Sequence, residues 1–144
     1  MQTADDIALA LLGRASLLDV SVPDWGVLAI AMPDVAPPWG EDTAPDRYLS
    51  VSIFDNVPRW QSLGPGGKIG QGILQVEVIW PRGLGNIGIR RAAQAVMDHF
   101  PKNLIIRQGT ARVTINAEPW HGSVIPADAG SSLPVSIPWQ ASAV

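Results

Sequence analysis

The sequence predicts an α+β fold in one domain: a mainly antiparallel sheet with two helices packed on one face and long projecting loops. The clearest predicted strand, residues 69–80, alternates so that Leu74, Val76 and Val78 share one face. Its other face mixes Gln75 and Glu77 with isoleucines, which is typical of a sheet covered on one side. The 13 prolines and 14 glycines indicate many turns. We expect the 144 residues to form a single domain over positions 1–144.

Two helices are expected from the spacing of apolar residues. The first runs from Thr3, as its N-cap residue, to about Leu18. The second covers residues 87–100, with Asn86 as its N-cap residue and Pro101 ending it. The predicted stripes are Ile7, Leu11, Arg14 and Leu18 in the first helix, and Ile89, Ala92, Ala93, Val96 and Phe100 in the second.

Strands and loops alternate in the first half of the chain. A short strand is expected over residues 27–32, and residues 33–45 form a loop because its prolines cannot sustain a helix or a central strand. Residues 48–54 alternate again and would pair with residues 69–80 as an antiparallel hairpin. The segment 56–68, rich in glycine and proline, is predicted to be the long loop of this hairpin.

The C-terminal third is predicted to contain a short hairpin and a last strand. Residues 104–115 form the hairpin, with Gly109 adopting a positive φ angle at its turn. Residues 118–132 are expected to be irregular. The last strand, residues 133–141, alternates but contains two prolines, which predicts a strand at the edge of the sheet.

The composition excludes several classes of protein. The chain contains no cysteine, so disulfides, thiolate metal sites and cysteine nucleophiles are absent. A net charge of −3 without a basic run argues against recognition of nucleic acid, including sequence-specific recognition. The N-terminus carries acids where a signal peptide needs a basic region, and no apolar run approaches the roughly 20 residues of a membrane span. No membrane partner is therefore expected.

The motif that comes closest to a cofactor site is the G-x-G-x-x-G formed by Gly83, Gly85 and Gly88, between a predicted strand and a helix. The preceding strand is not apolar throughout, and Gln108 stands where an acid is needed about 20 residues later. We interpret the motif as a strand-to-helix connection, with nucleotide binding as the alternative. The run ending at Lys68 precedes a strand and lacks the Ser or Thr of a phosphate-binding loop.

No catalytic or metal site is predicted from the remaining polar residues. His99 is expected at a helix end, where the helix dipole favours the imidazolium, and His121 is expected in a loop. Glu41 and Asp42 are adjacent and point apart, so their spacing does not make an acid–base pair. We therefore expect no cofactor, no metal and no enzymatic activity.

The six tryptophans divide by position. Trp80 and Trp139 alternate with core residues and are predicted to be buried. Trp39 and Trp60 lie in predicted loops, where a tryptophan either covers the local core or anchors an interface. Both alternatives stay open for these two residues.

Three stretches have the pattern of a known family. They are GQGILQVEVIWP at residues 70–81, the helix ending in HF at residues 99–100, and VSIPWQASA at residues 135–143. Together with the order of the predicted elements, they resemble the tail terminator-like proteins of long-tailed bacteriophages. The segment 117–132 departs from this pattern, because a clearer strand would be expected there.

This resemblance implies a structural virion protein that is assembled in the host cytoplasm. It would form a hexameric ring at the head-proximal end of the tail tube, stop growth of the tube and offer a surface to the head. The implied partners are further copies of the chain, the tail tube protein and a head-completion or connector protein. The candidate subunit or tube interface residues are Trp39, Glu41, Asp42, Trp60, Lys68, Arg90 and Arg91.

Subunits of a closed ring meet through two different surfaces. We expect opposite charges to meet there, with Arg90 and Arg91 facing an acidic loop such as Glu41 and Asp42. Two alternatives remain at this point. One is another head–tail connector or minor tail protein of similar fold, and the other is a small nucleotide-binding enzyme that uses residues 83–88.

Overall fold

The computed structural model describes residues 4–22, 25–33, 35–40, 42–60, 68–109, 111–127 and 130–143. Two helices and ten strands are formed by these residues. In chain order they are α1 (Ala4–Ser16), β1 (Ser21–Val22), β2 (Gly26–Val27), β3 (Ala29–Ala31), β4 (Tyr48–Trp60), β5 (Lys68–Trp80), α2 (Ile87–His99), β6 (Ile105–Gln108), β7 (Ala111–Thr114), β8 (Trp120–His121), β9 (Ile125–Ala127) and β10 (Gly130–Ala143).

One large sheet organises the fold, with the strand order β3-β4-β5-β10-β7-β6. All of its pairs are antiparallel except β3 with β4, and the short strands β8 and β9 also pair with β10. The strands β1 and β2 form a separate two-stranded ribbon. The predicted α+β class and mainly antiparallel sheet are confirmed.

The core lies on the face of the sheet that carries the helices. Leu49, Val78 and Leu133 form one row across β4, β5 and β10, and all three are buried. Both helices cover this face, with α1 against β6 and β7, and α2 against β5 and β10. The predicted stripe of α2 is buried, and each fully buried Leu, Ile, Val or Phe side chain contributes about 1.5–3 kcal/mol. On the other face, Ile73, Gln75 and their neighbours are half-buried.

The central hairpin is longer than the sequence predicts. Residues 56–60 and Lys68 belong to β4 and β5, and not to a loop from 56 to 68. The register shifts between Asn56 and Arg59, which is where Pro58 lies. A β-bulge accommodates a proline within a strand, because it releases the residue from the regular ladder. The prediction therefore failed by treating Pro58 as a strand breaker.

The prediction that residues 133–141 form an edge strand is wrong. They belong to β10, which pairs with β5 on one side and with β9, β8 and β7 on the other. The carbonyl of Pro134 accepts a hydrogen bond from the Gly122 N–H at 3.1 Å, so its backbone faces away from β5. By the alternation of a strand, Pro138 faces the same side, between the ladder with β8 and the ladder with β7. Neither proline removes a hydrogen bond to β5.

Smaller differences concern the ends of elements. Helix α1 ends at Ser16 instead of about Leu18, and its proposed cap at Thr3 lies outside the described residues. Asn86 is the N-cap residue of α2, although its side chain makes no capping hydrogen bond. The expected strand over residues 27–32 is split because Gly26–Val27 pairs with β1, whereas Ala29–Ala31 pairs with β4. Between them, the buried Leu28 donates its N–H to the Val20 carbonyl at 2.9 Å, next to the ladder of β1 with β2.

The segment expected to be irregular contains β8 and β9 and the start of β10. Pairing with β10 supplies the hydrogen bonds of these short strands, so local propensity does not determine their conformation. The hairpin of β6 and β7 is confirmed, and Gly109 at its turn has a φ of 57°.

Candidate subunit and tube interface

The loop between β3 and β4 is anchored on the sheet by Trp39. Its indole packs edge-on against Tyr48, the first residue of β4, with ring centroids 4.8 Å apart. Two turns flank the tryptophan: the Gly40 N–H bonds to the Pro37 carbonyl at 2.9 Å, and the Asp42 N–H bonds to the Trp39 carbonyl at 3.1 Å. Trp39 is thus half-buried and fixes the backbone beside it, while Asp42 is exposed. Glu41 lies outside the described residues.

Trp60 and Lys68 are brought together at the outer end of the central hairpin. They are direct partners in the ladder of β4 with β5. The sequence had placed Trp60 in a loop, whereas its backbone belongs to a strand. Strand β3 covers β4 only from Tyr48 to Ser50, so the rest of β4 extends beyond it. Phe54, on this extended part, is 54% exposed.

Arg90 and Arg91 lie on the solvent side of α2, opposite the buried stripe. Both are exposed, as the helical spacing predicts. The predicted pairing of these arginines with an acidic loop concerns two different copies, and it stays a prediction.

An arginine that the sequence analysis missed is packed between two aromatic rings. The guanidinium carbon of Arg47 lies 4.9 Å from the ring centroid of Trp25 and 4.8 Å from that of Trp80. Its Nε is buried without a hydrogen-bond partner in the described part of the chain. Cation–π attraction holds the side chain at the start of β4, directly after the loop of Trp39. In the sequence, only the presence of Trp25 could have indicated this contact of Arg47, and its position in the chain does not show which side chains it contacts.

The C-terminal ends of the two helices are joined by Arg14 and His99. The Nε and Nη2 of Arg14 donate to the His99 carbonyl at 3.1 and 2.7 Å, and His99 Nε2 donates to the Arg14 carbonyl at 2.8 Å. Arg14 therefore satisfies a carbonyl that a helix end leaves free. Burial is the largest effect on His99 and lowers its pKa below 6.5; the Arg14 carbonyl opposes this and the Arg14 charge adds to it. The expectation that the imidazolium is favoured is therefore corrected, because burial and the charge of Arg14 lower the pKa of His99.

The glycine motif has a packing role. Gly83 and Gly85 have φ angles of 84° and 76°, which other residues rarely adopt. A Cβ at Gly88 would lie 2.8 Å from Cζ2 of Trp80, so the glycine lets α2 approach β5 closely. The strand after α2 is β6, which runs antiparallel to β5 and is separated from it by β10 and β7. A dinucleotide site requires a parallel β-α-β unit, which this arrangement does not provide.

Two surface depressions are lined by residues that the sequence analysis did not select. One lies between α1 and β6, where Leu9, Leu17 and Ile105 are exposed. The other lies between the end of α2 and the segment around Trp120, whose indole is 54% exposed. His121, beside it, bonds through Nδ1 to the carbonyl of Gly122 at 2.8 Å. These side chains were missed because exposure of an apolar residue depends on which elements pack beside it.

Within the described ranges, no group of three or more His, Asp or Glu residues is placed to hold a metal ion. Neither described helix has the length and apolar character needed to cross a bilayer.

Comparison with known proteins gives one family and one fold. A family profile described as phage tail terminator protein matches residues 6–139. A solved structure without a functional name aligns with a TM-score of 0.73 and 22% identity, over 98% of this chain and 96% of that chain. At this identity the structural similarity establishes the fold alone. No curated protein matches the chain.

Proposed function

The chain belongs to the phage tail terminator family, and from this premise we propose that it forms a hexameric ring at the head-proximal end of the tail tube. The ring stops polymerisation of the tube and presents a surface to the head. Its partners are further copies of the chain, the tail tube protein and a head-completion or connector protein. The protein acts in the virion tail, after assembly in the host cytoplasm, and has no catalytic role.

The proposal is supported above all by the two unlike ends of the sheet. The strand order ends at β3 on one side and at β6 on the other. These ends have different neighbours: the Trp39 loop returns beside β3, while α1 packs beside β6. Two different surfaces on one subunit make a heterologous contact, which produces a ring if the rotation closes.

The long hairpin of β4 and β5 supports a contact with the tube. Its end carries Trp60 opposite Lys68, beyond the part of the sheet that β3 covers. Strand β10 pairs with β5 from Gly70 to Trp80, so only the tip of the hairpin lies past this pairing. We propose that this tip contacts the last ring of the tube. Termination then follows from geometry: one side of the ring binds the tube, and the other side does not recruit further tube subunits.

The two alternatives make different predictions. A head–tail connector of similar fold would bind the head or the completed tail but would leave tube growth unchanged. A nucleotide-binding enzyme would gain stability from NAD or ATP, by about 2.7 kcal/mol at 100 times the dissociation constant. The packing of Gly88 on Trp80 accounts for that glycine without a nucleotide.

The test is assembly measured with and without tubes. Light scattering over a range of concentrations gives the mass of the protein alone, and negative-stain images show its location when it is mixed with polymerising tube protein. We expect rings, caps at one tube end, and tubes that stop growing when the protein is added. Tubes that elongate equally with and without the protein would contradict termination.

A further inference from the structure

The two ends of the sheet carry opposite charges. Residues 33–46, between β3 and β4, contain four acids and no base, and we name them the acidic rim. Residues 101–117, which include β6 and β7, contain three bases and no acid, and we name them the basic rim. Because β3 and β6 are the two ends of the strand order, the described residues of the two rims lie next to opposite ends of the sheet.

The basic rim holds two arginines against each other. Arg107 of β6 and Arg112 of β7 are direct cross-strand partners, and both are exposed. Like charges placed opposite each other in a ladder are destabilising. Neither guanidinium has an ion pair or a hydrogen bond among the described residues. The carboxylate of Asp6, in α1, lies at the turn of this hairpin, where a Cβ at Gly109 would meet its Oδ1 at 2.7 Å. A further carboxylate from a second copy would relieve the remaining repulsion.

An apolar recess lies beside the basic rim. It has a volume of about 350 Å³ between α1 and β6. Leu9, Leu17 and Ile105 line it and are 56%, 67% and 48% exposed. A partner at this edge therefore gains apolar contact as well as charge neutralisation.

The acidic rim offers matching chemistry in a fixed position. Asp42 and Asp46 are exposed, and so is Val35, at 63%. The packing of Trp39 on Tyr48 and the turn at Asp42 hold the loop against β4. One rim thus exposes acids and an apolar side chain, and the other exposes arginines beside an apolar recess.

We propose that the acidic rim of one copy docks on the basic rim and recess of the next copy. This inference rests on the proposed ring and names the surfaces through which its subunits meet. Charge complementarity and the location of the rims at opposite ends of the sheet both favour a second copy as the partner. The basic side of the contact is then Arg107 and Arg112, and not the pair on α2.

Three double variants with matched charge changes test this contact. R107E/R112E reverses the two arginines of the basic rim. D42K/D46K replaces two of the four acids of the acidic rim and leaves that rim without net charge. R90E/R91E makes the arginine-to-glutamate change on α2 instead. All six side chains are exposed, so the fold is expected to survive. R107E/R112E also keeps a like-charged pair across the ladder, which matches the repulsion of the native pair. Circular dichroism and thermal unfolding check the fold of each variant.

Assembly is measured by light scattering and sedimentation velocity over a concentration series. For R107E/R112E and for D42K/D46K alone, we expect the concentration of half-assembly to rise at least about tenfold, because the first variant brings like charges together at each contact and the second removes the charge attraction. An equimolar mixture of the two should assemble again. In the mixture, each contact of an alternating ring joins either two native rims or two altered rims, so a ring of even number closes without like charges at any contact. R90E/R91E should assemble like the native chain.

The possible failures are distinguishable. If the native chain forms rings and R107E/R112E forms them equally well, the proposed rim contact is wrong, but the proposed ring is supported. If R90E/R91E is defective and its mixture with D42K/D46K recovers, the arginines of α2 are the basic partner instead. If the native chain forms no ring, alone or with tube protein, the proposed function and the rim contact both fail.

Discussion

Gly88 offers a quantitative test of how α2 is seated on the sheet. A Cβ at this position would lie 2.8 Å from Cζ2 of Trp80 and 3.3 Å from its Cε2 and Nε1. Ordinary van der Waals contact begins at 3.4 Å, so Gly88→Ala requires a shift of about 0.6 Å (3.4 − 2.8). Trp80 is only 3% exposed and also packs against Arg47, which limits its freedom to move.

Two effects of Gly88→Ala oppose each other. Alanine stabilises a helix interior by up to about 1 kcal/mol relative to glycine, and Gly88, as the second residue of α2, should gain less than this. Overpacking a filled site destabilises by about 1–3 kcal/mol. We therefore expect a net loss of about 1 kcal/mol from the free energy of unfolding. Gly13→Ala is the matched control, because Gly13 is also helical but a Cβ there meets no atom within 4 Å. It should gain about 0.5–1 kcal/mol.

The assay is urea unfolding of both variants and the native chain, at the lowest concentration that gives a signal, because self-association adds stability. The midpoint should fall for Gly88→Ala and rise for Gly13→Ala, with similar slopes, and the two variants should differ by about 2 kcal/mol. If Gly88→Ala is as stable as Gly13→Ala, then position 88 does not require glycine for close packing of α2 on Trp80.

Three further predictions concern single side chains. Because the pKa of His99 is lowered in the folded chain, the unfolded chain binds this proton first as the pH falls, so the contribution of His99 to stability is complete above about pH 6.5 and declines below it. His99→Gln, which keeps a hydrogen-bond donor, should reduce the decline of the urea midpoint between pH 7 and pH 5. An equal decline in the variant and the native chain would contradict this. Arg47→Met removes two cation–π contacts and should destabilise by about 1 kcal/mol in the same assay, whereas an unchanged midpoint would mean that relief of the unbonded Nε offsets the loss. Trp39→Ala should speed proteolytic cleavage within residues 33–46, whereas Trp39→Phe should not, because the ring pair with Tyr48 contributes about 0.5–1.5 kcal/mol. Equal cleavage rates for the two variants would contradict the anchoring of this loop by the ring at position 39.

Periodicity predicted the parts of the fold whose burial repeats along one element. The alternation of residues 69–80 identified the core face of β5, and helical spacing identified the buried stripe of α2. The rule that proline breaks a strand or places it at the edge of a sheet gave wrong predictions where the pairing of the neighbouring strands determines whether a proline is tolerated. Pro58 lies in a bulge and Pro138 faces a gap between two ladders, and neither gap nor bulge is visible without the pairing partners.

The candidate interface was harder to predict, because its residues are distant in sequence. Exposure of Arg90 and Arg91 followed from helical spacing, but the opposition of Arg107 and Arg112 depends on the register of a hairpin. The recess beside them requires α1 and β6, some 90 residues apart in the chain, to pack together. Contacts of this kind arise from topology and leave no local pattern.

Under the proposed rim contact, the charge on the two rims would favour a ring over a simple dimer. Two copies meeting through β6 on both sides would bring four arginines together, two from each subunit, and like charges at an edge oppose such pairing. Two acidic rims would repel each other for the same reason. The unlike contact removes both repulsions at once, and it leaves one free rim of each kind on every incomplete assembly. In the proposed assembly, growth would therefore continue until the last acidic rim meets the first basic rim, which is the condition for closure.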